Sequence, residues 1–201
     1  MRGLFLLFML FASTVNAVEL SQQQQAQLRQ GEVLLLEGDS GQQPGKTFTV
    51  FALMPATVKQ VQTVLADFAS YPQFMPNMQK VVVRESNDDG AMLEYYLALP
   101  AGMKKRYRLA MVYKSGSQSI EIHWHKLAWP GLDAEDTIRD TNGYWKLIPF
   151  EGQVLAEYHV YTDPGEVPFG FGWIVDYMAS KSIREVVVNT RERVIVNRKE
   201  L

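Results

Sequence analysis

The sequence predicts an α+β domain in which a curved antiparallel sheet surrounds a long C-terminal helix. Three observations carry this expectation. Six consecutive segments between Val81 and Thr162 alternate apolar and polar residues and are joined by short turns, an apolar stripe at helical spacing follows Pro55, and a longer stripe runs from Trp173 to about Asn197. The 201 residues are 47% apolar and carry 20 Lys+Arg against 22 Asp+Glu, which fits one globular domain. A net charge of −2 with interspersed signs offers no field for steering onto nucleic acid or anionic lipid.

The N-terminal stretch Met1 to Ala17 differs from everything after it. Arg2 precedes the apolar run Gly3 to Ala12, and Val15 and Ala17 are small residues at the positions that flank a cleavage site, so residues 1–17 read as a secretory signal peptide. The competing reading is an uncleaved anchor, but ten apolar residues are about half the roughly 20 that span a bilayer. Removing 17 of the 201 residues leaves 184 and takes Arg2 with it. The chain contains no cysteine, which excludes disulfides, thiolate metal sites and a lipid-modified cysteine. A mature chain of that size can bury enough apolar surface without disulfides, and a periplasmic location is expected.

Residues 18–30 form a polar arm. Glu19 to Gln30 holds six glutamines and few large apolar groups, so it reads as a short helix or a loose arm. The main domain spans residues 31–201. Its first strands are Gly31–Glu37 and Thr47–Met54, separated by the turn formers Gly38 to Gly45. Pro55 then opens a helix whose apolar face is Val58, Val61, Val64, Leu65 and Phe68. Tyr71-Pro72 and Met75-Pro76 interrupt it, because each proline biases the residue before it away from helical geometry; a short, broken helix or loop follows.

The period then changes to two. Strands are expected at Val81–Glu85, Ala91–Leu99, Arg106–Tyr113, Ser119–His125, Thr137–Leu147 and Val154–Thr162, with hairpin turns at Asn87–Gly90, Lys114–Ser117 and Glu151-Gly152. In the last segment Ile174, Met178, Ile183, Val186, Val187, Thr190 and Val194 form one stripe, and Lys181, Arg184, Glu185, Arg191, Glu192 and Arg193 mostly take the other side. A helix of about 25 residues would run some 37 Å, enough to cross a small sheet.

Several phrases in this layout resemble those of a known family. Val64-Leu65-Ala66-Asp67-Phe68-Ala69-Ser70-Tyr71-Pro72-Gln73-Phe74-Met75-Pro76 is similar to the D-F-x-x-Y-P phrase of the START/polyketide cyclase superfamily, also called SRPBCC, in its coenzyme Q-binding and cyclase/dehydrase-like branch. Gly143-Tyr144-Trp145-Lys146-Leu147-Ile148-Pro149 resembles a second phrase, and Tyr161-Thr162-Asp163-Pro164-Gly165 resembles the family's closing segment. The resemblance spans roughly Thr47 to Asn197 and implies the helix-grip fold, with a hydrophobic molecule such as a lipid, sterol, quinone or polyketide held between sheet and helix. Many members bind or carry without catalysing a reaction.

Strand parity selects the side chains that would line such a space. With Glu94, Arg108, Lys114 and Glu121 as outward markers, Leu93, Tyr95, Leu97 and Leu99 point inward, then Tyr107, Leu109, Met111 and Tyr113, then Ile120, Ile122 and Trp124, Trp145 and Leu147, and Ala156, Tyr158 and Val160. The helix would answer with Met178, Ile183, Val187 and Thr190. The competing account is that these side chains fill a core. The tyrosines favour a pocket, since Tyr95, Tyr107, Tyr113 and Tyr158 would each place a hydroxyl on an otherwise apolar face, where it needs a partner.

Other clusters carry less. His123 and His125 share a strand face with Glu121, and His159 is expected two strands from His123, near 10 Å at about 4.8 Å per strand, so no metal site is assigned. Asp133, Glu135, Asp136 and Asp140 sit on one turn and lack both the opposed geometry of a hydrolase pair and the spacing of a calcium loop. Lys104, Lys105, Arg106 and Arg108 read as a solvated edge or a surface for phospholipid head groups. Phe169, Phe171 and Trp173, alternating with glycines, read either as a lid that touches membrane transiently or as rings folded onto the core. No nucleophile elbow, phosphate loop or dinucleotide fingerprint occurs, so no catalytic residue and no cofactor is assigned. The expected function is therefore binding or carrying a hydrophobic small molecule or lipid. A cyclase or dehydratase acting in the same pocket is the alternative.

Overall fold

A computed structural model describes residues 20–116, 119–166 and 181–199. Eight strands form one antiparallel sheet: β1 (Leu34–Gly38), β2 (Lys46–Met54), β3 (Met78–Asn87), β4 (Gly90–Ala98), β5 (Lys104–Ser115), β6 (Ile120–Leu127), β7 (Asp140–Phe150) and β8 (Gln153–Asp163). Their order is β1-β2-β8-β7-β6-β5-β4-β3, so the six-strand meander is closed on one side by the N-terminal hairpin. The helices are α1 (Gln22–Arg29), α2 (Val58–Ala66), α3 (Tyr71–Phe74) and α4 (Ile183–Lys199). The architecture is the α+β helix grip, a curved sheet around the C-terminal helix. The predicted helix from Trp173 begins outside the described residues.

The core lies on the inner face of the sheet. Val61, Val64 and Leu65 of α2 and Val187 and Val194 of α4 are buried against Phe48, Val50, Ala52 and Met54 of β2 and against Leu93, Ile122 and Leu147 across the meander. Thr190 is also buried on α4, and its hydroxyl donates to the Val186 carbonyl one turn earlier, so the helix carries no orphaned polar group there. α2 starts at a capping box in which Thr57 and Gln60 satisfy each other's backbone N–H, which explains why the helix begins after, and not at, Pro55.

Several expectations are corrected. The first strand begins at Leu34, because Gly31 adopts a left-handed φ of +88° and its N–H closes the end of α1 on Leu28. Tyr71 is helical despite preceding Pro72, which occupies an early helical position where no N–H is needed, whereas Met75 before Pro76 is extended as the proline bias predicts. β7 continues past Leu147 through Pro149, which is possible because pairing with β6 ends at Leu147 and the missing N–H breaks no ladder bond on that side.

The outer face is less uniformly solvated than the outward markers suggest. The arm folds into α1, capped by Ser21 and Gln24, and docks Leu28 onto Phe51 and Leu53. Arg29 holds this helix to the β7–β8 turn through Glu151 at 2.7 Å. Glu94, taken as an outward marker, points outward but is fully buried, with Arg84 and Arg108 each 2.8 Å from its carboxylate. Burial alone would raise the Glu94 pKa, yet the two guanidinium groups hold it below the ordinary glutamate value. His123, Tyr144 and His159 lie in one outer-face row, and the Tyr144 ring stacks on His159 at 5.1 Å and sits 5.5 Å from His123. The phenol therefore separates the two imidazoles.

Candidate functional site: an apolar cavity with one polar end

A cavity of about 440 Å³ lies between the inner face of the sheet, α3 and the start of α4. Strand pairing brings its walls together. Tyr95 is opposite Tyr107, Met111 is opposite Trp124, and Trp145 is opposite Tyr158. Of the predicted lining residues, Tyr95, Leu97, Tyr107, Leu109, Met111, Trp124, Trp145, Tyr158 and Ile183 line this cavity. Met178 lies outside the described residues, as do Phe169, Phe171 and Trp173.

Three predicted lining residues are placed elsewhere. Ile122 and Val187 have the expected parity but fill the core beyond the cavity, where they are fully enclosed. Tyr113 also faces inward, yet it lies toward the far end of β5, where it borders a separate shallow groove with Lys59, Gln62, Thr63, Ala66 and Asp67. Parity identifies a face but not the depth along it at which packing gives way to space.

The aromatic wall is tightly organised. Trp124 stacks on Tyr158 at 5.4 Å, Trp145 meets the same ring at 4.7 Å, and Tyr95 bridges Tyr107 at 5.5 Å and Tyr71 at 6.3 Å. Tyr71 donates its hydroxyl to the Leu65 carbonyl at 2.6 Å. Tyr95, Tyr107 and Tyr158 have no hydrogen-bond partner among the described residues, where the only fully enclosed side-chain oxygen or nitrogen lacking one is Thr137 Oγ1. The three phenolic oxygens are therefore not sealed in the core but reach the cavity space. Burial raises the pKa of all four tyrosines, so they stand there as neutral hydroxyls that can both donate and accept.

One end of the cavity, at the termini of the strands, is polar. Lys46, Lys105, Arg139, Thr141, Asp163, Glu166 and Ser182 contribute there. Arg139 pairs with the nearly buried Asp163 at 3.1 Å, and Asp163 also accepts the Gly165 N–H, which shapes the turn after β8. On the helix side Asn77 donates to Ser182 at 3.0 Å and Asn189 to the Phe74 carbonyl at 2.7 Å, tying α4 to the α3 segment.

Lys105 corrects the reading of the basic run as surface. Lys104 and Arg106 are exposed, but Lys105 is 7% exposed and on the inner face. Its ammonium donates to the carbonyls of Glu135 at 2.7 Å and Thr137 at 2.9 Å. Burial pushes its pKa below the ordinary lysine value against the opposing pull of Asp136, Glu135 and Glu166. The signal was available in the sequence, since Lys105 shares the parity of Tyr107 and Leu109. All three histidines of the chain lie on strand positions of the outer parity, and none is among the described lining residues.

Residues 54–152 match the family described as "Polyketide cyclase / dehydrase and lipid transport". No curated protein matches the chain. Among solved structures, the STAR-related lipid transfer protein from Xanthomonas axonopodis superposes with a TM-score of 0.72 at 16% identity, over 81% of this chain and 93% of that one. Human StAR-related lipid transfer protein 5 gives 0.71 at 13% identity, over 84% of each chain. The di-domain ARO/CYC StfQ from the steffimycin biosynthetic pathway gives 0.55 at 13%, over 88% of this chain and 55% of that one. At these identities the likeness concerns the fold. Together with the matched residues and the helix-grip architecture, it makes the chain similar to the START/polyketide cyclase superfamily.

Proposed function

We propose that the mature protein is a periplasmic binding or carrier protein for a hydrophobic small molecule of the lipid, quinone or sterol-like class. One observation carries this reading: an apolar, aromatic cavity of about 440 Å³ into which reach three tyrosine hydroxyls that have no partner among the described residues. That volume falls in the usual range for small-molecule sites, and a wall of aromatic rings with a few polar groups is how such sites combine affinity with orientation. Lipid transfer proteins and an ARO/CYC protein share the fold, so the fold is compatible with either a carrier or a cyclase. The lining favours the carrier. Its central titratable groups are phenols held neutral, while the charged groups gather at one end, so no acid–base pair faces the middle of the cavity among the described residues. The periplasmic location rests on the signal-like residues 1–17.

Organic extraction of the protein purified under native conditions, followed by mass spectrometry, tests the reading. A hydrophobic molecule recovered near one per chain is expected. A protein that carries nothing and takes up nothing from a total membrane-lipid extract would overturn it.

A further inference from the structure

Lys105 presents a buried cation to the polar end of the cavity, where Asp136, Glu135 and Glu166 attract it without making an ion pair. Among the described residues no acidic group forms an ion pair with it. Asp136 is engaged by Arg106 at 3.4 Å, and the Asp163 carboxylate is engaged by Arg139 at 3.1 Å. Two of the three ammonium donors go to the Glu135 and Thr137 carbonyls. These bonds fix the ammonium in place but do not neutralise it. The third donor has no partner among the described residues. Lysine is almost never buried unless paired, and a desolvated charge beside a cavity is stable when a ligand can complete its coordination. Polar supply is incomplete at this spot in a second respect, because Thr137, whose carbonyl holds the ammonium, also carries an enclosed hydroxyl that lacks a partner among the described residues.

We infer that the ligand is an amphipath with one anionic oxygen group, a carboxylate or a phosphate ester, which pairs with Lys105 while the apolar remainder lies along the aromatic wall. This rests on the carrier reading and sharpens it. A wholly apolar molecule would leave the third ammonium donor without a partner, and a free inorganic anion would leave the apolar wall uncovered. The arrangement also sets orientation, with the charged head at the strand termini and the apolar part toward Trp124 and Trp145.

Binding of oleate and of oleyl alcohol, which share a chain and differ in head charge, tests the inference by displacement of a fluorescent fatty-alcohol probe from the delipidated wild-type protein. Oleate should bind at least about tenfold more tightly, the ratio expected for one charge-assisted hydrogen bond. Inorganic phosphate at the same concentration should displace neither. In Lys105→Met the preference of oleate over oleyl alcohol should vanish. Lys105→Gln, which keeps a donor for the two carbonyls, should behave likewise. Equal wild-type affinity for the two probes overturns the inference and leaves the carrier reading intact, and this comparison needs no variant. A folded Lys105→Met that keeps the full preference, or displacement by phosphate alone, also overturns it. Failure of both probes to bind overturns this inference and the carrier reading together.

Discussion

The Trp124 indole lies over Gly143 so closely that a β-carbon at position 143 would come within 2.5 Å of Trp124 Cζ2 and would also meet the His159 carbonyl oxygen. The glycine thus creates the seat from which Trp124 stacks on Tyr158 and forms the cavity wall. Because one of the obstacles is backbone, the neighbourhood cannot yield by a rotamer change alone. Gly143→Ala should cost about 1–3 kcal/mol, read as a lower urea midpoint at unchanged slope, and should shift the tryptophan emission as Trp124 moves.

Glu94 links stability to pH. Burial opposes its charge, but Arg84 and Arg108 outweigh that and hold its folded pKa below the unfolded value of about 4.3. A depressed carboxylate pKa contributes stability that is present above the unfolded value and is lost as pH falls through the folded one. Glu94→Gln should therefore lower stability at neutral pH by about 1–3 kcal/mol. It should also flatten the acid side of the profile, measured by denaturant unfolding from about pH 7 to pH 3.

α1 docks on the face opposite the cavity, and this separates stability from binding. Leu28 is 3% exposed between Phe51 and Leu53. Leu28→Asp should release the helix, destabilise the protein by about 2–4 kcal/mol and remove hydrogen-exchange protection from residues 22–29, while ligand affinity stays unchanged. Loss of binding without loss of α1 protection would contradict this division.

The N-terminal reading predicts that export removes residues 1–17. Intact mass of the protein recovered from a periplasmic extract should correspond to a chain starting at Val18. A chain retaining Met1 to Ala17 would favour the anchor.

Period-two alternation made the eight strands and most of the cavity wall legible, because a half-buried strand writes its buried face into every second residue. The same rule would have placed Lys105 inside. Its charge and its neighbours Lys104 and Arg106 argued for surface, and the carbonyls that hold it come from residues 135 and 137, which no local pattern connects to it. Glu94 shows the converse, an outward residue buried by long arginine side chains that fold over it. Ile122, Val187 and Tyr113 were assigned to the right face and the wrong depth, since the curvature that decides where α4 leaves the sheet is a property of the whole sheet. The Arg139–Asp163 pair joins segments 24 residues apart and had no sequence signature.

Filling the cavity with a larger side chain should block ligand binding there. Val160 is buried on β8, lines the space and lies in the same sheet row as Trp124. Titration of wild type and Val160→Trp with a fluorescent fatty-acid analogue, after circular dichroism has verified the fold of both, should give saturable one-to-one binding to wild type and at least about tenfold weaker binding to the variant. A folded Val160→Trp that binds as tightly as wild type would contradict the claim that this cavity is the binding site.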